Sequence, residues 1–166
     1  MDRASIIASA YRHLSDSDAE YGRTADWLRV FGKIADRIIS DINPETVLDA
    51  GCGLGLLVEC MRRRGVQAYG VEPSSEIVHN IHPEIRPYCR VGTITEPFHR
   101  KYDLIVSLET VGSLSRDQAE LAIANLCRHS EDILFSASPV YHKDLVDFNV
   151  QPPEYWARLF AGQNFF

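Results

Sequence analysis

The sequence predicts a doubly wound α/β domain in which a mostly parallel sheet carries helices on both faces. After residue 45, short apolar runs alternate with stretches whose apolar residues recur at helical spacing. Turn residues such as Gly65 and the Asn43-Pro44 pair separate these segments. Strand–helix–strand units of this kind form parallel sheets, because each crossover helix packs on the sheet whose strands it connects.

Residues 1–45 are predicted to form an N-terminal helical cap, and residues 46–166 the α/β core of the same single domain. The main helix of the cap covers residues 24–40, where large apolar side chains share one face: Trp27, Val30, Phe31, Ile34, Ile38 and Ile39. Pro44 follows the end of this helix, because the residue before a proline avoids the helical conformation.

Short apolar runs bounded by turn residues predict five strands, at 46–50, 67–71, 86–91, 102–108 and 132–137. Helices are predicted around them, at 54–64, 74–80, 116–128 and 153–161. Ser115 and Gln118 have the spacing of a capping box at the start of the third of these helices. Residues 164–166 resemble the start of a sixth strand, so we expect the C-terminal strands of the sheet to be incomplete.

Composition and charge exclude several function classes. With 166 residues, 45% of them hydrophobic and 24% charged, the chain matches one globular domain. Its net charge of -6 argues against nucleic acid as a partner, because phosphate neutralisation needs a basic surface. The sequence shows neither a signal peptide nor a membrane-length apolar stretch, and its four cysteines lack metal-ligand spacing. These features predict a cytoplasmic protein without a membrane or metal site.

Residues 47–57, VLDAGCGLGLL, place three alternating glycines directly after the first predicted strand. Glycines let a ligand approach the backbone, and the helix that follows offers free N–H groups at its start. A dinucleotide fingerprint would need a glycine where Leu56 stands, and no Gly-Lys-Ser/Thr follows for a P-loop. The G-x-G-x-G spacing therefore disfavours both, while a tight turn without a ligand stays open as an alternative.

Two carboxylates accompany this loop. Asp49 precedes the first glycine by two residues, where it would repel a pyrophosphate and suits a ligand with a positive charge. Glu72 follows the second predicted strand, where a carboxylate can accept hydrogen bonds from both hydroxyls of a ribose. Unless Glu72 is simply a surface residue, the ligand is predicted to contain a ribose and a cation.

The segments VLDAGCGLGLL, YGVEPS and YDLIVSLETVGSL resemble the class I S-adenosylmethionine-dependent methyltransferases, over about residues 20–166. The resemblance implies a Rossmann-like fold, S-adenosylmethionine as cofactor and a small-molecule methyl acceptor. It implies that the glycine loop passes under the methionine part of the cofactor. Asp49 would then lie near the ammonium group, directly or through water, and Glu72 would hold the ribose.

The loop after the third strand, residues 92–94, is implied by the resemblance to contact the adenine. Many family members have an acidic residue where this chain has Thr93, so we expect weaker cofactor binding than is usual. The full set of predicted cofactor-binding residues is Asp49, Gly51, Cys52, Gly53, Gly55, Glu72, Pro73, Thr93, Ile94, Leu108 and Glu109.

The tail FNVQPPEYWARLFAGQNFF resembles a segment of bacterial small-molecule methyltransferases. Where many relatives have histidines near the substrate, this chain has Ser113 and Asp147. Candidates for a general base are His142, Tyr141, Asp144, Asp147 and Glu109. His142 is preferred, because its unperturbed pKa lies near neutrality and it follows the fifth strand, although an exposed loop histidine is an equal alternative.

The leading prediction is a methyltransferase that transfers a methyl group from S-adenosylmethionine to an oxygen or nitrogen of a small molecule. Two alternatives stay open: a non-catalytic S-adenosylmethionine-binding or interaction module of a larger protein, and an NAD- or nucleotide-binding domain. The missing strands predict a chain cut at its C-terminus, a natural fragment, or strands supplied by another chain. An open strand edge invites pairing, so a homodimer or a fusion to other domains is expected among the partners.

Overall fold

The structure, a computed structural model, describes residues 21–137 and 149–165. Its strands are β1 (Thr46–Ala50), β2 (Gln67–Glu72), β3 (Cys89–Val91), β4 (Leu104–Leu108) and β5 (Asp132–Ser136). Its helices are α1 (Ala25–Asp41), α2 (Leu56–Arg62), α3 (Ser75–Asn80), α4 (Arg116–His129) and α5 (Pro153–Gly162). Two 3-10 turns, Arg86–Tyr88 and Val111–Ser113, follow α3 and β4.

The described strands form one sheet in the order β3-β2-β1-β4-β5, and every neighbouring pair is parallel. β1 lies at the centre, with β2 on one side and β4 on the other. From β1 to β3 the chain adds strands on one side of β1, and after β3 it returns to add β4 and β5 on the other side. In such sheets the ligand crevice opens at the carboxyl ends of the strands beside this switch point. The predicted doubly wound, parallel α/β class is confirmed.

Helices cover both faces of the sheet and create two hydrophobic cores. On one face, Trp27, Phe31 and Ile34 of α1 are buried in the same cluster as the apolar residues of α2. On the other face, α4 and α5 bury their apolar sides, including Ile123 and Trp156. The helical spacing of apolar residues in α1 therefore predicted its buried face correctly.

Side-chain caps begin α1 and α4, and the predicted capping box at Ser115 and Gln118 is confirmed. Thr24 is the N-cap of α1, and its hydroxyl accepts from the Trp27 N–H at 3.4 Å. At α4 the Ser115 hydroxyl accepts from the Gln118 backbone N–H, while the side-chain oxygen Oε1 of Gln118 accepts from the Ser115 backbone N–H at 3.2 Å. These two N–H groups have no acceptor within the helix, and both are paired here, as a capping box requires.

Two predicted boundaries are corrected by local geometry. The third strand was predicted over residues 86–91, but Arg86–Tyr88 form a 3-10 turn and only Cys89–Val91 pair with β2. Pro87 cannot donate to a strand ladder, which explains the late start. The helix after β1 begins at Leu56 rather than at 54, because Gly55 adopts a left-handed φ of 69° as its N-cap.

The predicted start of a sixth strand at residues 164–166 is wrong for its described part. Asn164 has a φ of 60°, and its N–H donates to the Ala161 carbonyl. The Phe165 N–H donates to the Phe160 carbonyl at 3.0 Å, and the two rings lie 6.3 Å apart. This is the hydrogen-bond pattern and hydrophobic contact of a Schellman cap, so these residues end α5. Phe166 lies outside the described residues.

The predicted helical cap is described only from Tyr21 onward, and its division from the core stays a prediction. α1 packs on α2, and the Arg23 guanidinium binds the Glu59 carboxylate of α2 through two hydrogen bonds of 2.9 and 2.7 Å. Within the described residues, no helix is both long and apolar enough to cross a membrane.

Candidate functional site

The glycine loop joins β1 to α2 at the carboxyl edge of the sheet. Gly51, Gly53 and Gly55 have φ angles of 93°, 51° and 69°, all in the left-handed region that favours glycine. The N–H groups of Gly51 and Cys52 both donate to the Val71 carbonyl, at 2.9 and 3.0 Å. The loop is therefore fixed to the end of β2.

Two of these glycines also allow other parts of the chain to approach closely. A β-carbon at Gly51 would collide with the side chain of Thr110, whose hydroxyl donates to the Ala50 carbonyl at 3.1 Å. A β-carbon at Gly53 would lie 2.9 Å from the Tyr21 hydroxyl. The first glycine thus allows packing against the loop after β4, and the second allows the close approach of the Tyr21 hydroxyl.

Glu72 is the last residue of β2 and is only 8% exposed. One carboxylate oxygen accepts from the Gly53 N–H and the other from the Ser74 N–H, both at 3.1 Å. These two bonds orient the carboxylate toward the glycine loop. Because a carboxylate offers about four acceptor positions, lone pairs are left to accept from the hydroxyls of a ligand.

Asp49 lies beside Glu72 at the centre of the sheet, where β1 pairs with both neighbours. It is 6% exposed, and its carboxylate accepts no hydrogen bond within the described residues. Burial is the main cause that raises the pKa of Asp49 to about 7, and the negative charge of Glu72 adds to it. A cationic ligand beside Asp49 would favour its ionised form and pair with it.

Tyr21 reaches the same loop from the N-terminal side, and sequence analysis did not identify it. Tyr21 is 46% exposed, and partial desolvation of its hydroxyl, followed by the charge of Asp49, raises its pKa to about 12. A hydrogen bond between Tyr21 and the Leu54 backbone acts in the opposite direction. Its ring packs edge-on against Trp27, with centroids 5.1 Å apart. No local pattern marks such a residue, because its position depends on how α1 packs on α2.

The loop after β3 lies beside Glu72, whose carbonyl accepts from the Gly92 N–H at 3.0 Å. The Thr93 hydroxyl lies 2.9 Å from the Thr95 hydroxyl and accepts from the Thr95 N–H at 3.2 Å. Ile94 is buried in the core beneath α4, and its carbonyl accepts from the Asn125 side-chain amide at 2.9 Å. Both residues stay predicted adenine contacts, with the Thr93 hydroxyl already engaged inside the loop.

The loop after β4 forms the other wall of the crevice. Glu109 directly follows Leu108 and has a left-handed φ of 54°, which is rare for a residue with a side chain. Its N–H donates to the Ser136 carbonyl at 3.1 Å, and the Ser136 hydroxyl donates to its carboxylate at 2.7 Å. Glu109 is thus fixed against the end of β5.

The remaining predicted residues fall into three groups. Pro73 is exposed beside Glu72. Cys52 is buried, and a hydrogen bond with Cys89, followed by burial, raises the pKa of its thiol. The predicted base and its alternatives lie outside the described residues, apart from Glu109: His142, Tyr141, Asp144 and Asp147. Their roles stay predictions.

The sequence profile of a family described as "Methyltransferase domain" matches residues 20–139. The chain belongs to this methyltransferase family. The match includes the glycine loop, both buried carboxylates and the loops after β3 and β4, so the resemblance seen in the sequence is confirmed. No curated protein is a detectable sequence relative of this chain.

Solved methyltransferase structures share this fold at low sequence identity. Magnesium protoporphyrin IX methyltransferase (ChlM) from Synechocystis PCC 6803, with bound SAH, has a TM-score of 0.65 and 14% identity, covering 97% of this chain and 86% of that one. DesVI from Streptomyces venezuelae has a TM-score of 0.55 and 22% identity, covering 84% and 54%.

CalS10, an amino pentose methyltransferase from Micromonospora echinaspora solved with bound SAM, has a TM-score of 0.54 and 21% identity, covering 81% of this chain and 52% of that one. The chain therefore spans about half the length of DesVI and CalS10. At these identities the likeness shows the fold, and it confirms the Rossmann-like methyltransferase architecture predicted from the sequence.

Proposed function

We propose that this methyltransferase domain binds S-adenosylmethionine and transfers its methyl group to an oxygen or nitrogen of a small molecule. One observation carries the proposal. Asp49 and Glu72 are buried carboxylates beside an open glycine loop, and no positively charged side chain within the described residues pairs with either. Buried negative charge without a partner is costly, so the site favours a cationic ligand.

The residues of the proposed site suit the chemical groups of S-adenosylmethionine. Glu72 has acceptor positions left for the two ribose hydroxyls, and Asp49 would offset the charge of the ammonium group. Gly53 carries no side chain, and the Tyr21 hydroxyl lies close to its backbone, so both residues border the loop that the cofactor would contact. The ends of β1, β2 and β4 hold these groups on a rigid sheet, which keeps their positions fixed before the ligand binds.

When bound, the cofactor would supply an electrophilic methyl group on a positively charged sulfur. The protein's part is then to align the acceptor with that methyl group, and alignment alone contributes much of the rate. An amine acceptor can react once neutral, whereas a hydroxyl benefits from a base. We propose His142 as that base and Glu109, fixed by Ser136, as a residue that faces the acceptor.

A second candidate is a non-catalytic binding module, and one contact favours it. Ser113, which replaces a histidine of many relatives, donates its hydroxyl to the Thr110 carbonyl at 2.8 Å and so is engaged within its own turn. The module would keep the cofactor site and lack a base. For either candidate we propose a cytoplasmic location. We also propose that the domain forms a homodimer or is fused to other domains.

Calorimetric titration with S-adenosylmethionine, S-adenosylhomocysteine and NAD separates these candidates. We expect the first two to bind and NAD to bind more weakly or not at all. Incubation with methyl-labelled cofactor and a panel of hydroxylated and amine-bearing small molecules then tests transfer. Binding without transfer to any acceptor would support the module, and tighter binding of NAD would contradict the proposed cofactor.

A further inference from the structure

A cavity of about 320 Å³ lies beside β2 and β3 at one edge of the sheet. None of the residues that line it belongs to the set of predicted cofactor-binding residues. The residues that line the cavity are Leu48, Tyr69, Gly70, Pro87, Tyr88, Cys89, Arg90, His99, Arg100 and Tyr102. The cavity is therefore separate from the proposed cofactor site.

The short third strand creates this cavity. β3 pairs with β2 only from the Gly70–Cys89 position onward, so Gln67–Tyr69 have no neighbour from β3. Residues 92–103, which lead to β4, contain no helix that could cover this corner of the sheet. The gap therefore results from the Pro87 turn that also shortened the predicted strand.

The lining of the cavity is cationic. Among the described residues it contains Arg90, His99 and Arg100 and no Asp or Glu, in a chain whose net charge is -6. Arg90 is half-buried and forms no hydrogen bond or ion pair within the part of the chain that the structure describes. A guanidinium that is partly removed from water without an anionic partner is available to bind an anion.

Tyrosine rings contact Arg100 of the lining and the nearby Arg62. The Arg100 guanidinium lies over Tyr69 and Tyr102, at 4.5 and 4.9 Å from their ring centroids. Behind the lining, the Arg62 guanidinium lies 3.2 Å from the Tyr88 centroid and donates to the Ala68 carbonyl at 3.0 Å. Such contacts orient a guanidinium while leaving part of its N–H edge free.

We propose that this cavity binds a phosphate group, either as free phosphate or as a small phosphate monoester, against Arg90 and Arg100. Two guanidinium groups match the charge of a phosphate dianion, and their planar N–H edges suit its oxygens. The volume is at the lower end for small-ligand sites, which excludes a large ligand. Because no carboxylate of the described residues lines the cavity, none neutralises the arginines in the ligand's place.

Calorimetric titration with inorganic phosphate and with glycerol 3-phosphate, at constant ionic strength set by sodium chloride, tests this inference. We expect saturable binding by the wild-type chain and at least tenfold weaker binding by Arg90→Gln and by Arg100→Gln. Arg128→Gln, which removes an exposed arginine of α4, is the control and should bind as the wild type does. Tighter binding of the ester would identify a phosphate monoester as the ligand of the cavity, and tighter binding of inorganic phosphate would identify the free ion as the ligand.

Arg100→Lys keeps the charge and should recover part of the affinity lost in Arg100→Gln, and circular dichroism checks that each variant is folded. Absence of saturable binding by the wild type would overturn the inference. So would affinities that are equal in the wild type and in both glutamine variants.

Discussion

Asp49 and Glu72 are buried carboxylates on the adjacent strands β1 and β2. Burial raises the pKa of Asp49 to about 7, and the charge of Glu72 adds to this shift. Glu72 has two backbone N–H partners, from Gly53 and Ser74, whereas Asp49 has none within the described residues. Asp49 therefore holds a proton over part of the range near neutral pH. It also means that one group of the proposed cofactor site titrates in the physiological range.

The first prediction concerns stability and pH. The folded-state pKa of Asp49, about 7, is above the value near 3.9 of an unfolded chain, so its protonated form is favoured by folding. This contribution is fully present below pH 4 and is lost as the pH rises to 7. Asp49→Asn should therefore be more stable than the wild type above pH 7, by on the order of 2–4 kcal/mol, and nearly equal to it at pH 4.

Urea unfolding of both proteins from pH 4 to pH 8 checks this difference. Asp117→Asn, which changes an exposed carboxylate in the first turn of α4, is the control and should follow the wild-type profile. Parallel profiles for the wild type and Asp49→Asn would show that Asp49 does not titrate in this range.

The second prediction links protons to the ligand. If Asp49 must be ionised to pair with the cofactor's ammonium group, affinity for S-adenosylmethionine should rise by about tenfold between pH 6 and pH 7.5. The cofactor's own amino group stays mostly protonated in this window, since α-amino groups titrate near 7.7–8.0. Calorimetry in buffers of different ionisation enthalpy should report proton release at pH 6, and Asp49→Asn should show neither effect. A pH-independent affinity in the wild type would place Asp49 away from the bound cation.

The third prediction concerns the close approach of Tyr21 to Gly53. Gly53→Ala would place a β-carbon 2.9 Å from the Tyr21 hydroxyl and impose strain at a φ of 51°. Gly65→Ala is a matched control, because Gly65 has a φ of 86° but no atom of the described residues lies within 4 Å of its added β-carbon. Each substitution should lower the free energy of unfolding by about 1 kcal/mol through backbone strain.

Only Gly53→Ala should also weaken S-adenosylmethionine binding, since it alone displaces Tyr21 at the loop of the proposed cofactor site. Isothermal titration of both variants measures this, with thermal unfolding as the check on stability. Equal affinities in Gly53→Ala and Gly65→Ala would mean that the contact between Gly53 and Tyr21 does not border the bound ligand.

Sequence patterns predicted most of the fold because they report local physical chemistry. β1 was predicted with the boundaries that the structure shows, since its apolar run is bounded by turn residues on both sides. The capping residues Ser115 and Gln118 fixed the start of α4 for the same reason. Apolar side chains near residue 164 were misleading, because Phe165 packs on Phe160 within a helix cap rather than along a sheet.

The parts of the site that depend on packing were beyond such patterns. Tyr21 reaches Gly53 only because its ring is seated on Trp27. Thr93 was identified by its position after the third strand, but its partner Thr95 was not. A hydrogen bond inside a loop produces no periodic sequence pattern from which it could be predicted. The raised pKa of Asp49 likewise depends on burial against a neighbouring strand, which the sequence order alone does not specify.

The most direct test of the account is the affinity of S-adenosylmethionine for Glu72→Gln, with Glu76→Gln as control. The substitution at Glu72 keeps the size of the side chain but removes the charge that would accept from the ribose hydroxyls, whereas Glu76 is exposed at the start of α3. We predict that calorimetry will show a loss of about 1.5–3 kcal/mol, or roughly 10- to 100-fold, for Glu72→Gln and no change for Glu76→Gln. An unchanged dissociation constant in a folded Glu72→Gln protein would contradict the assignment of this site to the cofactor.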